Sequence, residues 1–537
     1  MFFYQPAFFL LFLPVAVGGY FWLNYSRFYK GGMLYLLLCS LVFYGLWDWR
    51  YLFLIGASIL VNFWIGRRLC RWCTQKKTWL ILGITFNLVL LGYYKYADFF
   101  LGNINMILGT DFSLLHLLLP LGISFFTFQQ IMYLVDCWRR RHKPDYRLWH
   151  YANFVFFFPQ LIAGPIVHHD EMMPQFHEPK KKEIHWNHIF GGGFLFAVGF
   201  FKKVMIADGL GVIVDNGYDN ISFLPSLAAW GIALAYTFQI YFDFSGYTDM
   251  ALGIARMFNI KLPFNFNQPY KARGIREFWS RWHMTLTRFL RNYIYIPLGG
   301  SKISQWRTYL NILLVFFLSG LWHGAGWTFV LWGMAHGIGM VIERFFHHRR
   351  WIWPKFFQWS STFLFLVLSW VLFRSRDLSV ATAMYRALFA GQKTAQDTFF
   401  DTGKSISDVF PWLQTDWWID LWQTLLTHHW WLLGSGLFLI SVGIILRYIW
   451  WDAPQLWEKW RPSWWNIVVI LLCMGVGIVA QQYIENITPS TEFLYSNFGF
   501  SGKKNIFYAY QKRILVILMC EGNFLQKRKQ AFLFFQK

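Results

Sequence analysis

The chain has 537 residues, of which 56% are hydrophobic and 22% aromatic, and only 14% are charged. Soluble globular chains carry roughly 25% charged residues, so this composition excludes an ordinary soluble enzyme and indicates a polytopic membrane protein. The formal net charge is +22, from 49 Lys and Arg against 27 Asp and Glu. Because the charges fall in loops between apolar runs, that balance reports membrane topology and excludes nucleic-acid binding as its reason.

A spanning helix needs about 20 mostly apolar residues. Runs of that kind lie near 2–22, 32–48, 51–66, 78–94, 114–137, 151–167, 189–207, 222–242, 308–323, 326–345, 361–373, 431–450 and 465–481. Several are short or glycine-rich, so the expected fold is all-α with about nine to twelve true crossings, accompanied by re-entrant and interfacial amphipathic helices. The first run lacks the basic flank of a cleavable signal and reads as a retained span. The loops alternate in charge. Arg27 and Lys30 mark the first, Arg67, Arg68, Arg71, Lys76 and Lys77 the third, and Arg139, Arg140, Arg141, Lys143 and Arg147 the fifth. The second holds only Asp48 and Arg50, and the fourth only Lys95, Asp98 and Asp111. Basic loops stay cytoplasmic, which places the N-terminus outside.

Six scattered cysteines do not resemble a disulfide framework, and "CRWC" (Cys70 to Cys73), without strand–helix context or a second pair, reads as two reduced thiols. His168, His169, Asp170, Glu171, His177, His185 and His188 invite a metal reading, but their spacing fits no compact zinc template, and no metal is expected. Tyr241, Asp243, Ser245 and Asp249 lie at or near the end of an apolar run, where they either line a substrate path or satisfy one another. His347–His348 and His428–His429 read as interfacial polar pairs.

Between Lys261 and Arg307 there are nine Lys and Arg against one acid, Glu277. Its centre, "REFWSRWHMTLTRFLRNYIYIPLGG", predicts an interfacial amphipathic helix from about Ile275 to Pro297. Arg281, Arg288 and Arg291 then share one face, Phe278, Trp282, Leu286 and Phe289 another, and His283 sits at the border. Lipid headgroup anchoring accounts for these arginines, and so does holding a phosphate-bearing donor by charge-assisted hydrogen bonds; the two readings are compatible.

The stretch "FLSGLWHGAGWTFVLWGMAHG", residues 317 to 337, carries His323 and His336 and no Lys, Arg, Asp or Glu. Ionisable groups at such depth are expensive and face a protein interior or a wet cavity. Gly320, Gly324 and Gly326 allow a local break, which the 13-residue spacing of the two histidines requires if both are to reach one site.

This stretch resembles the histidine signature of the membrane-bound O-acyltransferase family. "QLIAGPIVHHDEMMPQF" (160–176), "YFDFSGYTDMALGIARMFNIKLPFNFNQPY" (241–270) and "REFWSRWHMTLTRFLRNYIYIPLGG" (276–300) are similar to its bacterial branch, which contains the alginate O-acetylation protein. The resemblance extends through "WVLFRSRDLSVATAMYRALF" (370–389) to about Phe498. It implies one membrane domain over 1–498, followed by a basic extension over 499–537 to which no function is assigned. It implies His323 as the catalytic histidine, assisted by His283, with Ser280 the lesser alternative, and His336 lining the same channel.

Arg281, Arg288, Trp282, Ser319 and Trp322 are the expected substrate contacts. An imidazole with an unperturbed pKa near 6.5 can take the proton of an attacking hydroxyl, while His283, Ser319 or an amide near Gly324 can donate to the developing oxyanion. The resemblance further implies acetyl-coenzyme A as donor and an extracytoplasmic polysaccharide as acceptor. It also implies an exported hydrolase-like partner transferase and residence in the bacterial inner membrane. The competing expectation, a transporter or flippase with a histidine proton relay, calls for inverted repeats, and none is apparent.

Overall fold

The computed structural model describes residues 2–70, 75–139, 146–178, 183–348, 353–390, 451–460 and 463–487. Within them all regular structure is helical. Among the described residues, seven helices are long and apolar enough to cross a membrane: Phe8–Tyr25, Tyr29–Asp48, Arg50–Cys70, Lys76–Leu108, Trp186–Asp219, Trp327–His347 and Lys355–Arg374. The long helices Ser226–Met257 and Gln305–His323 pack among them. The expected all-α polytopic architecture is thus the observed one. The run at 431–450, Cys73, the pair His428–His429 and the extension after 498 lie outside the described residues.

Three of the runs that differ from expectation do so for a clear local reason. The run at 114–137 is helical only over Ile123–Trp138, because Pro120 and then Gly122, at φ +74°, precede the helix. A Cβ on Gly122 would stand 2.5 Å from the carbonyl oxygen of Leu161, so the backbone there approaches a neighbour that no side chain permits. The run at 151–167 breaks at Phe157 into Leu148–Phe156 and Phe158–Leu161, with Pro159 opening the second piece, where a missing N–H costs nothing. The run at 78–94 does not stop there. It passes through a π-helical turn, Gly92–Tyr96, and continues to Leu108, so Lys95 and Asp98 belong to a helix and not to a loop.

The central seam is formed by Trp186–Phe201 against Ser226–Met257. Gly192 meets Gly253 and Gly199 meets Gly246 so closely that an added Cβ would lie 2.5–2.7 Å from the facing carbonyl oxygen at each of the four. Small residues let membrane helices touch backbone to backbone, where dispersion, not hydrophobicity, supplies the attraction. Gly199→Val is therefore expected to remove most detergent-stable protein, read by size-exclusion chromatography. Gly18→Ala is the control, since its Cβ meets nothing within 4 Å, and it should behave as wild type.

A buried ionic network lies on the same seam. Lys202 Nζ is 2.8 Å from Asp249 Oδ2 and 4.0 Å from Asp452 Oδ1, and it donates to the Trp451 carbonyl at 2.6 Å. Lys203 Nζ is 2.6 Å from both Asp208 and Asp243. Tyr241 donates to Asp452 at 2.8 Å. Of the two readings of Tyr241, Asp243 and Asp249, mutual satisfaction with these lysines and Asp452 describes them. Ser245 Oγ, by contrast, has no hydrogen-bond partner among the described residues.

Candidate active site

The basic stretch is not one helix. It runs as Ile275–Arg281, breaks at Trp282 and His283, and resumes as Met284–Leu290 followed by a π-turn over Arg291–Tyr295. His283 sits at φ +43°, ψ +50°, a left-handed conformation that costs a non-glycine residue about 1–3 kcal/mol and is held only by its surroundings. Those surroundings come from the preceding segment. Asn267 N–H donates to the Arg281 carbonyl at 3.0 Å and Met284 N–H to the Asn265 carbonyl at 3.0 Å. Asn265 Oδ1 accepts from the Thr285 hydroxyl at 2.6 Å, and that hydroxyl accepts from Ile166 N–H at 3.0 Å. Residues from "GPIV", "PFNFN" and "RWHMT" thus converge on one break, whose effect is to turn His283 inward.

The break also separates Arg281 from Arg288, so the arginine face expected of a continuous helix is not formed. Arg281 binds Glu277 at 2.8 Å and the Asn267 carbonyl at 3.1 Å, and Arg288 grips Glu171 with both terminal nitrogens, at 2.5 and 2.9 Å. Partial burial of Glu277 opposes its ionisation, but the Arg273 N–H and the Arg281 guanidinium prevail and hold its carboxyl below the usual range.

His323 is the last residue of Gln305–His323, and Gly324, Ala325 and Gly326 interrupt the chain before Trp327–His348, the break that the glycines predicted. Its ring is 5% exposed and lies within an aromatic box, with Trp322, Trp332 and Phe373 centroids at 4.8, 5.0 and 5.3 Å. The His283 ring is 6.5 Å away, face to edge. His283 is fully buried, and neither of its nitrogens has a hydrogen-bond partner among the described residues. The same holds for Ser319 Oγ and Trp322 Nε1. Buried polar atoms left unspent in this way are rare and ask for a ligand or ordered water. Trp282 stacks on Phe278 at 5.5 Å and lies 5.1 Å from Trp370, within the wall of the same core.

His336 is placed differently. Its Nδ1 accepts from Trp279 Nε1 at 3.2 Å, and its Nε2 meets Ser369 Oγ at 3.1 Å. Because the Ser369 hydroxyl donates to the Leu366 carbonyl at 2.8 Å, it accepts from His336, which assigns the neutral ring with its proton on Nε2. Trp332 lies between the two histidines, with its centroid 5.0 Å from His323 and 4.9 Å from His336. Of the expected site residues, His323, His283 and Trp322 come together, and Ser319 lies one turn before His323 on the same helix. His336 stands behind Trp332, and Arg281 and Arg288 face carboxylates.

Sequence reasoning missed Asn265. Nothing in spacing marks it, since its partner Thr285 is 20 positions away and belongs to another motif. Asn265→Leu strands the buried hydroxyl and N–H of Thr285, at about 1–3 kcal/mol. It is expected to lower both the melting temperature in detergent and the rate of turnover, since the left-handed turn at His283 loses its brace.

Among the described residues, no group of three or more His, Cys, Asp or Glu is placed to hold a metal ion. In the stretch that invites a metal reading, His168 and His169 face Asp136 at 4.0 and 3.6 Å, while His188 meets Asn259 at 2.8 Å.

A buried histidine pair in an aromatic box, with unspent donors beside it, fits acyl transfer to a hydroxyl. The model of the membrane-bound O-acyltransferase family matches residues 138–380, which contain His283, His323 and His336. The chain belongs to that family, and it is an acyltransferase. It is 46% identical over 419 residues to the peptidoglycan O-acetyltransferase of Helicobacter pylori, covering 72% of this chain and 79% of the relative. It is 41% identical over 401 residues, 73% of this chain and 75% of the relative, to the Pseudomonas aeruginosa protein named "Probable alginate O-acetylase AlgI". A more distant relative is the teichoic acid D-alanyltransferase of Bacillus subtilis, 28% identical over 246 residues, 44% of this chain and 61% of the relative.

Proposed function

We propose that this protein transfers an acetyl group from acetyl-coenzyme A at the cytoplasmic face to a hydroxyl of an extracytoplasmic polysaccharide, with His323 as general base. The observation that carries the proposal is the pairing of His323 with His283 at 6.5 Å beside the unspent Trp322 Nε1, with the unspent Ser319 Oγ one helical turn before His323. The acceptor class is supported by the names of the relatives, which act on peptidoglycan and alginate. The hydroxyl oxygen attacks the thioester carbonyl carbon as His323 takes its proton. The carbon–sulfur bond breaks, and the proton passes from His323 to the departing thiolate. His283 and Ser319 donate to the carbonyl oxygen as it gains charge. General-base action of this kind contributes about 10²–10⁴-fold.

In this reading His336 fixes the Trp279–Trp332 wall and takes no proton. Arg281 and Arg288 reach donor phosphates by exchanging carboxylate for phosphate, both being good bidentate partners of a guanidinium. The alternation of basic and sparsely charged loops supports a bacterial inner-membrane location with the N-terminus outside. An exported hydrolase-like partner completing delivery to the polymer belongs to the same reading. The test is the purified protein in lipid vesicles with labelled acetyl-coenzyme A. Release of free coenzyme A thiol, with label appearing on an added polysaccharide or partner transferase, is expected. Absence of thioester consumption at any acceptor concentration overturns the proposal.

A further inference from the structure

An α-helix ends with four carbonyls that lack intrahelical donors, and inside a membrane no bulk water is at hand to meet them. Gln305–His323 ends on its histidine, and the chain departs in an extended conformation at Gly324, φ −158°, ψ +148°. The final carbonyls are those of Gly320, Leu321, Trp322 and His323. The first is met by Gly324 N–H at 3.3 Å. The other three are met from a helix more than 220 residues earlier in the chain. Tyr96 donates its hydroxyl to the Leu321 carbonyl at 2.7 Å. Lys95 Nζ donates to the Trp322 carbonyl and lies 3.5 Å from the His323 carbonyl. It also reaches the Ser124 hydroxyl at 3.4 Å and stands 5.7 Å from the centres of the Trp322 and Tyr96 rings.

Among the described residues the acceptors that meet this ammonium are neutral, and the Trp322 and His323 carbonyls are the negative end of one helix dipole. A cation there is favoured electrostatically, and a membrane-buried lysine without such a task would be costly. Both side chains come from the π-turn Gly92–Tyr96, a departure from regular helix of the kind that recurs at functional sites.

We propose that Lys95, seconded by Tyr96, is a positioning residue for His323: it clamps the last two carbonyls of the histidine's helix so that the imidazole is held toward His283 while the glycine break behind it stays open. The assignment rests on the reading of His323 as the base. Lys95 touches no reacting atom in it. The clamp sets where the base stands, and a base misplaced by about 1 Å can lose about 10²-fold in rate.

The experiment uses full-length protein in lipid vesicles with acetyl-coenzyme A, comparing wild type, His323→Ala, Lys95→Met, Lys95→Arg and Tyr96→Phe. Lys95→Met is expected to lower kcat at least 10-fold while KM for acetyl-coenzyme A stays within twofold. Lys95→Arg, which can also donate to two carbonyls, should recover kcat to within about threefold of wild type. Tyr96→Phe should lower kcat about threefold, and it preserves the ring if Lys95→Met fails to insert. Wild-type kcat in both Lys95→Met and Tyr96→Phe overturns the assignment, as does Lys95→Arg performing no better than Lys95→Met, or a loss confined to KM. If wild type itself shows no His323-dependent turnover, the functional reading falls and the clamp falls with it. Turnover that depends on His323 but not on Lys95 or Tyr96 overturns the clamp alone.

Discussion

His323→Ala is expected to reduce acyl transfer by about 10²–10⁴-fold, the usual span of a lost general base, without reducing the amount of protein in the membrane. The ring sits in a box of Trp322, Trp332 and Phe373, so truncation also leaves a cavity. His323→Gln is the companion that keeps most of the volume and loses only the basic nitrogen. If the imidazole acts as a base, both variants fall together, with kcat lost and donor KM largely kept. His283→Gln should lose less, on the order of 10-fold, as a donor to the oxyanion that Ser319 can partly replace. The measurement is single-turnover acetyl transfer in vesicles at matched protein. Wild-type turnover in His323→Gln would remove the base from this site.

The second large effect is on the protein itself. Lys202→Met is expected to abolish recovery of folded protein. Lys202 is fully buried, and its ammonium stands between Asp249 and Asp452. Taking away one member of a buried charge network leaves the others uncompensated, at about 3–5 kcal/mol, a large share of a typical folding stability of about 5–15 kcal/mol. Two carboxylates would then share a low-dielectric site facing each other. Asp249→Leu in the Lys202→Met background removes one of them and should restore part of the yield, because an apolar replacement of a whole buried pair is often neutral. The readout is monodisperse protein after detergent extraction, with thermal aggregation as a second measure. Equal yields for Lys202→Met and wild type would mean that the network contributes little.

The apolar runs, the basic loops and the oddity of histidines in an oily segment were legible because each is a local property of the chain. So was the break after His323, since three glycines lie within seven residues of one another. The break at His283 was not, although it decides where that ring points. "RWHMTLTRF" carries the periodicity of an unbroken helix, and what opposes it is Asn265 claiming Thr285 from another segment. The arginine face was misread for the same reason, because Glu171 reaches Arg288 across 117 positions. Tyr241, Asp243 and Asp249 were recognisable as buried polar groups, but their partners are Lys202, Lys203 and Asp452, and pairing over such separations leaves no trace in spacing. Lys95 looked like an ordinary loop charge because the π-turn that extends its helix carries no compositional mark.

The hydrogen bonds from Lys95 and Tyr96 also bear on assembly. During synthesis the donors enter the bilayer more than 220 residues before the carbonyls they serve. The amino-terminal helices therefore form a waiting socket into which the histidine's helix is later seated. A fragment limited to the segment that defines the family, 138–380, would carry all three histidines and lack the socket, so expressing the first 137 residues as a separate chain should complement it.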